Sequence, residues 1–384
     1  MSEAVKKFQE ALEKDQAYEK ELNKKKKEVQ EKRLLVDEFK LTNELERITQ
    51  NKSDMAKAKN VNVGIMSEEE IADTQAKNRA YLEGAKNGML FLNESFRKYI
   101  PLWAGNIVLI GARTGSGKSS AAANLILTTM TQKHPETGEN RKILTISCEE
   151  TPLQVYNRLT CLVKGYDYSD QDTYTDQQKQ DLVDFSGKWP RLGISVIGED
   201  GRGRTDSVEG IRSIFEALVS SGTQYDLIII DYIQKIINSK SNPSAKPYDV
   251  LKEVMSVLDH YKNIYPACIV VMSQLSSQKS GDPENELDFQ DRLRGSRDII
   301  TPCTVAMEMV PDFQKLKTRW HIRKNRYKGS VVGGYIDTAY DKGRFKPLTP
   351  AWEKMVAERN EAKERADSVG KYENKKGDEN GQKN

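Results

Sequence analysis

The sequence of 384 residues is poor in the residue types that build disulfide frameworks and zinc sites. It contains four cysteines, Cys148, Cys161, Cys268 and Cys303, and no two of them form a Cys-x-x-Cys pair. Its three histidines lie far apart in the sequence. Because disulfide scaffolds and zinc sites both depend on characteristic cysteine and histidine spacings, neither is indicated.

A long apolar run is also missing. No segment approaches the roughly 20 apolar residues that a bilayer span needs. The first residues, MSEAVKKFQEALEKD, carry acidic side chains and no apolar core, which is unlike a signal peptide or a transit peptide. We therefore expect a cytosolic protein with no membrane partner.

The chain has little net charge of either sign. It contains 60 Lys and Arg against 57 Asp and Glu, a formal net charge of +3. This near balance argues against a wholly basic nucleic-acid coat protein, so any site for a polyanion must be local. Charged residues make up 30% of the chain and hydrophobic residues 37%, which predicts that part of it is solvated helix or tail.

The two ends of the chain are its most charged parts. Residues 1–60 place apolar side chains such as Phe8, Leu12 and Leu22 at roughly helical spacing among Lys, Glu and Gln, which predicts an α-helical N-terminal appendage. Residues 349–384 are predicted to form a charged helix that gives way to a disordered tail. The segment ENKKGDENGQKN has too little apolar surface to fold.

Residues 61–92 are predicted to be a linker that contains one helix. Ser67, with Glu70 three residues later, forms a capping-box pattern that marks a helix start, and Gly84 or Gly88 would end that helix. The globular domain is expected over residues 93–348.

Within that domain, short apolar runs alternate with helical segments. The runs IVLIG, KILTIS, ISVIG, DLIIID and ACIVVM are separated by helical patterns, which predicts an α/β fold with a mainly parallel sheet and helices on both faces. Three later runs, TVAMEMV, RWHIRKN and VVGGYID, are separated by charged or glycine-containing turns. They are interpreted as antiparallel strands added at the sheet edge.

The strongest motif lies directly between the first strand and a helix, where a phosphate-binding P-loop is found. Glycines allow the backbone N–H groups to turn towards an anion, and the helix start adds its positive dipole end. Lys118 is expected to reach the β- and γ-phosphates of ATP, and Ser119 to bind Mg²⁺. The nucleotide-binding candidates are Ala112, Arg113, Thr114, Gly115, Ser116, Gly117, Lys118, Ser119 and Ser120. Ala112 stands where the pattern has its first glycine, with Gly111 before it, and a fortuitous glycine-rich turn is disfavoured by the flanking strand and helix.

Polar side chains end three of the predicted strands. Asp231 ends LIIID and is the candidate carboxylate for Mg²⁺. Glu149, after KILTISC, is the candidate base that orients the attacking water. Glu150 is the alternative, since only one of two successive side chains at a strand end faces the phosphate; Glu149 could otherwise only cap the next helix. Gln274, which ends ACIVVMSQ, could contact the γ-phosphate.

Two clusters of basic residues follow. Arg294, Gly295 and Ser296 form an arginine-flanked turn that offers guanidinium and backbone N–H donors to phosphates, although an exposed basic turn would look the same. Lys324 and Arg326 lie at the end of a predicted strand. They could supply positive charge to the phosphoryl-transfer transition state of a neighbouring subunit.

Taken in order, these segments resemble the motor domain of DnaB-family replicative ring helicases and their phage primase-helicase relatives. The similarity spans about residues 90–348 and rests on GARTGSGKSS, ILTISCEETPLQVYNRL, DLIIIDYIQ, VVMSQL, RLRGSRD and HIRKNRYKG. It implies a RecA-like fold and a hexameric ring that hydrolyses ATP with Mg²⁺ between subunits and moves along single-stranded DNA. The compact build is more like a phage protein, which implies the cytoplasm of a bacterium or of a phage-infected host.

The resemblance also implies roles for individual residues. Glu149 would be the base and Gln274 the γ-phosphate sensor, and Lys324 and Arg326 would act in trans. Arg294, Gly295 and Ser296 would contact the DNA backbone, and a second lining loop, Asn238 to Lys246, would include Lys240. The helix after Ser67 would dock on the next subunit.

This chain departs from the family in lacking room for the full amino-terminal collar or a primase domain, so a primase or a loader is a possible partner. The alternative functions are a RecA-type recombinase filament and a regulatory ring ATPase.

Overall fold

The computed structural model describes residues 88–361, apart from 98, 101, 136, 199–204, 240–243, 277–288 and 294–296. It also describes six earlier residues, all of them helical: Lys20, Glu21, Lys24, Ile71, Ala72 and Gln75. The chain divides into two units, Met1–Arg79 and Ala80–Asn384. Most of the predicted appendage, linker helix and tail lies outside the described residues, and those boundaries stay predictions.

The second unit is built on a nine-stranded sheet. Its strands are β1 (Ile107–Ala112), β2 (Ile143–Ser147), β3 (Ile194–Ile197), β4 (Leu227–Asp231), β5 (Cys268–Gln274), β6 (Val305–Asp312), β7 (Lys317–Asn325), β8 (Tyr335–Asp341) and β9 (Arg344–Pro347). Their order across the sheet is β3-β2-β4-β5-β1-β6-β7-β8-β9. Pairing is parallel from β3 to β6 and antiparallel from β6 to β9. The predicted α/β fold with antiparallel edge strands is confirmed.

One short helix precedes the sheet, and the others connect its parallel strands. They are α1 (Glu94–Arg97), α2 (Lys118–Met130), α3 (Pro152–Lys164), α4 (Asp176–Ser186), α5 (Val208–Ser221), α6 (Pro247–Tyr261) and α7 (Phe289–Arg292), and residues 350–361 are also helical. Thr151 and Thr175 start α3 and α4 with capping boxes, which pair the free N–H groups of a helix start. None of the described helices has the length and hydropathy of a membrane span.

The core lies on both faces of the sheet because successive side chains of a strand point to opposite sides. Ile107 and Leu109 of β1 pack on the face covered by α5 and α6. Val108 and Ile110 pack on the other face, with Leu125 of α2. The four cysteines are buried thiols and form no disulfide.

The first of the three late strands is expected from the sequence to be antiparallel, and this detail is wrong. β6 pairs in parallel with β1, Val108 opposite Val305, because the long connection after β5 crosses back before β6 begins. Only β7, β8 and β9 are antiparallel additions. The third predicted run starts late, at Tyr335, since Gly329–Val331 forms a 3-10 turn. No predicted strand corresponds to the short strand β9.

Candidate nucleotide site

The P-loop connects the central strand β1 to α2. β1 ends at the buried Ala112, and α2 begins at Lys118. Gly115 and Gly117 have φ angles of 73° and 87°, a left-handed conformation that glycine adopts without a steric cost. No side chain caps the N-terminus of α2, so backbone N–H groups of its first turn are available to an anion.

Gly111, one residue before the expected first glycine of the motif, is required by packing. A Cβ atom there would lie 2.7 Å from Cε2 of Phe289 and 3.1 Å from a methyl group of Leu275. Phe289 is 2% exposed and belongs to α7. Gly111 therefore allows α7 to pack against the end of β1, and the buried Ala112 occupies the motif position.

Lys118 lies at the centre of the site. Its Nζ donates to the carbonyl oxygen of Arg113 at 3.2 Å and lies 5.5 Å from the centre of the Tyr232 ring. Burial lowers the pKa of Lys118, and the negative charges of Asp231 and Glu149 partly offset this. A lysine in this environment favours a polyanionic ligand, because the ligand's negative charge stabilises the protonated amine that burial disfavours.

Asp231 ends β4 beside the P-loop and is 8% exposed. Burial raises the pKa of its carboxyl to about 6, against a smaller opposing effect of a hydrogen bond from Ser119. Its Oδ1 atom is buried and has no hydrogen-bond partner among the described residues. A hydroxyl and a carboxylate with a free oxygen suit Mg²⁺, which takes few protein ligands and completes its shell with phosphate oxygens. Ser119 and Asp231 therefore fit Mg²⁺. The described part of the chain contains no cluster of three or more His, Cys, Asp or Glu side chains that could hold a metal by themselves.

The two glutamates after β2 have different surroundings. Glu149 is half-exposed, and its Oε1 lies 3.7 Å from Nζ of Lys235. Glu150 forms an ion pair with Arg158, in which both side chains are largely buried, and Arg158 stacks on the Tyr168 ring at 3.9 Å. Glu149 thus has the side chain that is accessible from the site, whereas Glu150 is held by α3.

Helix capping does not explain Glu149. The N-cap of α3 is Thr151, whose side chain accepts a hydrogen bond from the N–H of Gln154. The interpretation of Glu149 as a helix cap is therefore wrong.

Gln274 ends β5 next to the P-loop, in register with Ala112. Its Nε2 hydrogen-bonds to the Thr114 hydroxyl. The backbone N–H of Gln274 donates to Oε1 of Gln234 at 2.9 Å. No role is predicted for Gln234 from the sequence, although it lies three residues after Asp231 in the DYIQ segment.

Lys324 and Arg326 lie near the amino end of β6, at the opposite end of the parallel strands from the P-loop. Ala306 at the start of β6 is paired with Lys324, whereas Met309, level with Ala112, is paired with Trp320. Three residues of β6 separate the two levels, about 10 Å, because a bulge adds one residue to β7 between them. The structure thus does not bring these basic side chains to the P-loop of their own chain.

Both basic side chains are anchored to the same loop. Lys324 Nζ donates to the carbonyl oxygens of Ile300 at 2.7 Å and Thr301 at 3.0 Å. Arg326 Nη2 donates to Thr301 at 2.6 Å. Burial lowers the pKa of Lys324, and the nearby Arg326 adds to this.

Two further arginines, in the segments RLRGSRD and HIRKNRYKG, are structural. Arg292 and Arg323 both pair with Glu308, at 2.6 Å and 2.5 Å, and Glu308 is 3% exposed. A buried carboxylate needs such partners. The predicted DNA-binding residues Arg294, Gly295, Ser296 and Lys240 lie outside the described residues.

The fold and the site together define a class. A parallel sheet with a P-loop after its central strand and a buried carboxylate at the end of a nearby strand is a RecA-like P-loop NTPase. Residues 97–326 match the family described as DnaB-like helicase C terminal domain, and the chain belongs to this family of ATP-hydrolysing helicases. A search of curated protein sequences finds no match.

Two solved structures are similar in fold. The first is described as an ATPase domain; it is 16% identical with a TM-score of 0.57, and the alignment covers 74% of this chain and all of that one. The second is a DnaB-like replicative helicase described with its interactions with primase. It is 17% identical with a TM-score of 0.55, over 87% of this chain and 78% of that one.

Proposed function

We propose that the protein is an ATP-dependent replicative DNA helicase motor that hydrolyses ATP at the interfaces of a hexameric ring. The observation that supports the proposal is the position of two groups of side chains at opposite ends of the strands of one sheet. Lys118, Ser119 and Asp231 lie at the carboxyl ends of the parallel strands. Lys324 and Arg326 lie at the amino end of β6. A ring of identical chains can place one group against the other.

Residues of one chain are assigned as follows. The P-loop residues 112–120 bind the phosphates, with Lys118 neutralising charge on the β- and γ-phosphates. Glu149 orients the attacking water and accepts its proton. Gln274 contacts the γ-phosphate. Lys324 and Arg326 stabilise the transition state in the neighbouring subunit.

Mg²⁺ is part of the proposal. Ser119 and Asp231 would hold it, and the bound ion would supply charge neutralisation for the departing phosphate. The unpartnered Oδ1 of Asp231 supports this assignment.

Single-stranded DNA is the proposed track. Arg294, Gly295 and Ser296 would contact its backbone, with Lys240 in a second lining loop. We further propose residues 93–348 as the motor, residues 61–92 as a linker that docks on the next subunit, and a primase or loader as an additional partner. The cytoplasm of a bacterium or of a phage-infected host is the proposed location.

A forked-duplex unwinding assay tests the function. The full chain is expected to separate the strands when both ATP and Mg²⁺ are present, and to fail when either is left out. Lys118→Ala is expected to be inactive in this assay but to unfold at the same temperature as the wild type. ATPase activity without unwinding would favour a regulatory ring ATPase. Open filaments on DNA in negative-stain images would instead favour a recombinase.

A further inference from the structure

The end of β5 has a neighbour on one side only. The ladder between β1 and β5 continues to Ala112 and Gln274, whereas the ladder between β4 and β5 stops at Ile230 and Val271. The chain leaves β4 after Asp231 and forms a 3-10 turn over Ile233–Lys235. The backbone groups of the last β5 residues therefore need partners other than a strand.

The side chain of Gln234 supplies those partners. Its Oε1 accepts the N–H of Gln274 at 2.9 Å, and its Nε2 donates to the carbonyl oxygen of Gln274 at 3.2 Å and to Oγ of Ser273 at 2.7 Å. A primary amide combines an acceptor oxygen and two N–H donors on one planar group. Gln234 therefore replaces the missing strand at the point where Gln274 leaves the sheet.

The turn that carries Gln234 is itself fixed. Ile233 is fully buried in the core, and the N–H of Lys235 donates to the carbonyl oxygen of Tyr232 at 3.2 Å. Because the turn is anchored, the position of the Gln234 amide is set by β4 and its core contacts.

We propose that Gln234 is a positioning residue that fixes the Gln274 peptide, and through it the Gln274 side chain against Thr114 of the P-loop. The inference rests on the proposed function of Gln274 as the γ-phosphate sensor. Gln234 itself touches the β5 end and needs no contact with the nucleotide. Its loss should change turnover more than nucleotide binding, because the P-loop stays intact.

The test compares five variants of the full chain: Gln234→Ala, Gln234→Glu, Gln274→Ala, the double variant Gln234→Ala/Gln274→Ala, and Gln180→Ala as control. Gln180 is exposed on α4, and its side chain donates a hydrogen bond to Asp184 of the same helix. Gln234→Glu keeps the size of the side chain but cannot donate to the Gln274 carbonyl, and it serves if the alanine variant does not fold. The measurements are DNA-stimulated kcat, the Kd of a fluorescent ATP analogue, and the thermal unfolding midpoint.

Gln234→Ala and Gln234→Glu are expected to lower kcat about 10- to 100-fold, as a misplaced catalytic group does. The Kd should change less than about threefold, since the lost interaction is not one of ground-state binding. The double variant should match Gln274→Ala within about twofold, because Gln234 acts only through Gln274. Gln180→Ala should behave as the wild type.

Three results would overturn the inference. If Gln234→Ala has the wild-type kcat while Gln274→Ala is impaired, Gln234 is not a positioning residue, and the sensor role of Gln274 stands. A double variant in which the two losses multiply shows that Gln234 acts independently of Gln274. Wild-type turnover in Gln274→Ala overturns the sensor role of the proposed function, and this inference with it.

Discussion

Burial works against the charged forms of both Lys118 and Asp231. It lowers the pKa of Lys118 and raises that of Asp231 to about 6. Unfavourable burial of charged groups is common at sites where the fold binds a ligand, even though it lowers the stability of the ligand-free protein. A bound Mg²⁺–ATP complex would supply the opposite charge to each group.

Asp231→Asn is expected to raise the free energy of unfolding of the ligand-free protein by about 1–3 kcal/mol at pH 8. The ordinary pKa is 3.8 and the folded value about 6, so the folded state binds more protons between these limits and wild-type stability falls as pH rises through them. The gain should shrink as pH falls towards 4, where the folded wild-type carboxyl is protonated. Urea unfolding at several pH values measures this, and hydrolysis should be lost.

Asp226→Asn is the matched control for that prediction. Asp226 accepts hydrogen bonds from Nη1 of Arg141 at 2.7 Å and from the N–H of Lys142 at 2.8 Å. Loss of its charge should destabilise the fold. An Asp231→Asn protein no more stable than wild type at pH 8 would show that the buried carboxylate costs nothing.

Glu149→Gln is expected to bind ATP normally and to hydrolyse it about 10²- to 10⁴-fold more slowly, since an amide cannot accept the proton of the attacking water. Glu150→Gln should lose its ion pair with Arg158 and about 1–3 kcal/mol of stability but keep more of its turnover. Phosphate-release kinetics and nucleotide titrations distinguish the two. If Glu150→Gln were the slower enzyme, Glu150 would be the base.

The junction of β1 and α7 shows how packing shapes the P-loop. Gly111→Ala would push a methyl group into Phe289, with 2.7 Å between the two carbons, and should cost about 1–3 kcal/mol by overpacking. Gly187→Ala is the matched control, since a Cβ at Gly187 meets nothing within 4 Å. Thermal unfolding compares the two variants, and equal midpoints would mean that Phe289 yields without cost.

Local sequence patterns predict the parallel part of the sheet because each strand there is a continuous apolar run, as in IVLIG and LIIID. They predict β7 and β8 as antiparallel edge strands as well. The predicted direction of β6 is wrong because it depends on the path of the long connection after β5, which no local pattern specifies. The short strand β9, RFKP, has only Phe345 buried, which leaves no periodic signal.

The nucleotide site is predictable from the sequence where a local pattern marks the residues. A motif and a strand end are enough to find the P-loop and Asp231. Gln234 is missed because its role depends on β4 ending before β5 does, a property of register. Arg292 and Arg323 belong to the basic segments RLRGSRD and HIRKNRYKG, and no local pattern shows that both pair with Glu308 of β6.

The two half-sites that we propose lie at opposite ends of the strands of one sheet. The P-loop follows the carboxyl end of β1, and Lys324 with Arg326 lies about 10 Å of strand away, level with the start of β6. An isolated chain with this arrangement is expected to hydrolyse ATP poorly. Assembly should complete the site.

The central claim is that Lys118 of one chain and Arg326 of the next build one active site, and rings of mixed variants test it. Lys118→Ala and Arg326→Ala should each be nearly inactive alone. In a mixed ring, an interface that takes its P-loop from the Arg326→Ala chain and its basic finger from the Lys118→Ala chain has both groups intact. ATPase activity should therefore return in proportion to the fraction of such interfaces. Mixed rings that assemble but hydrolyse no more ATP than the two inactive proteins added together would contradict the account.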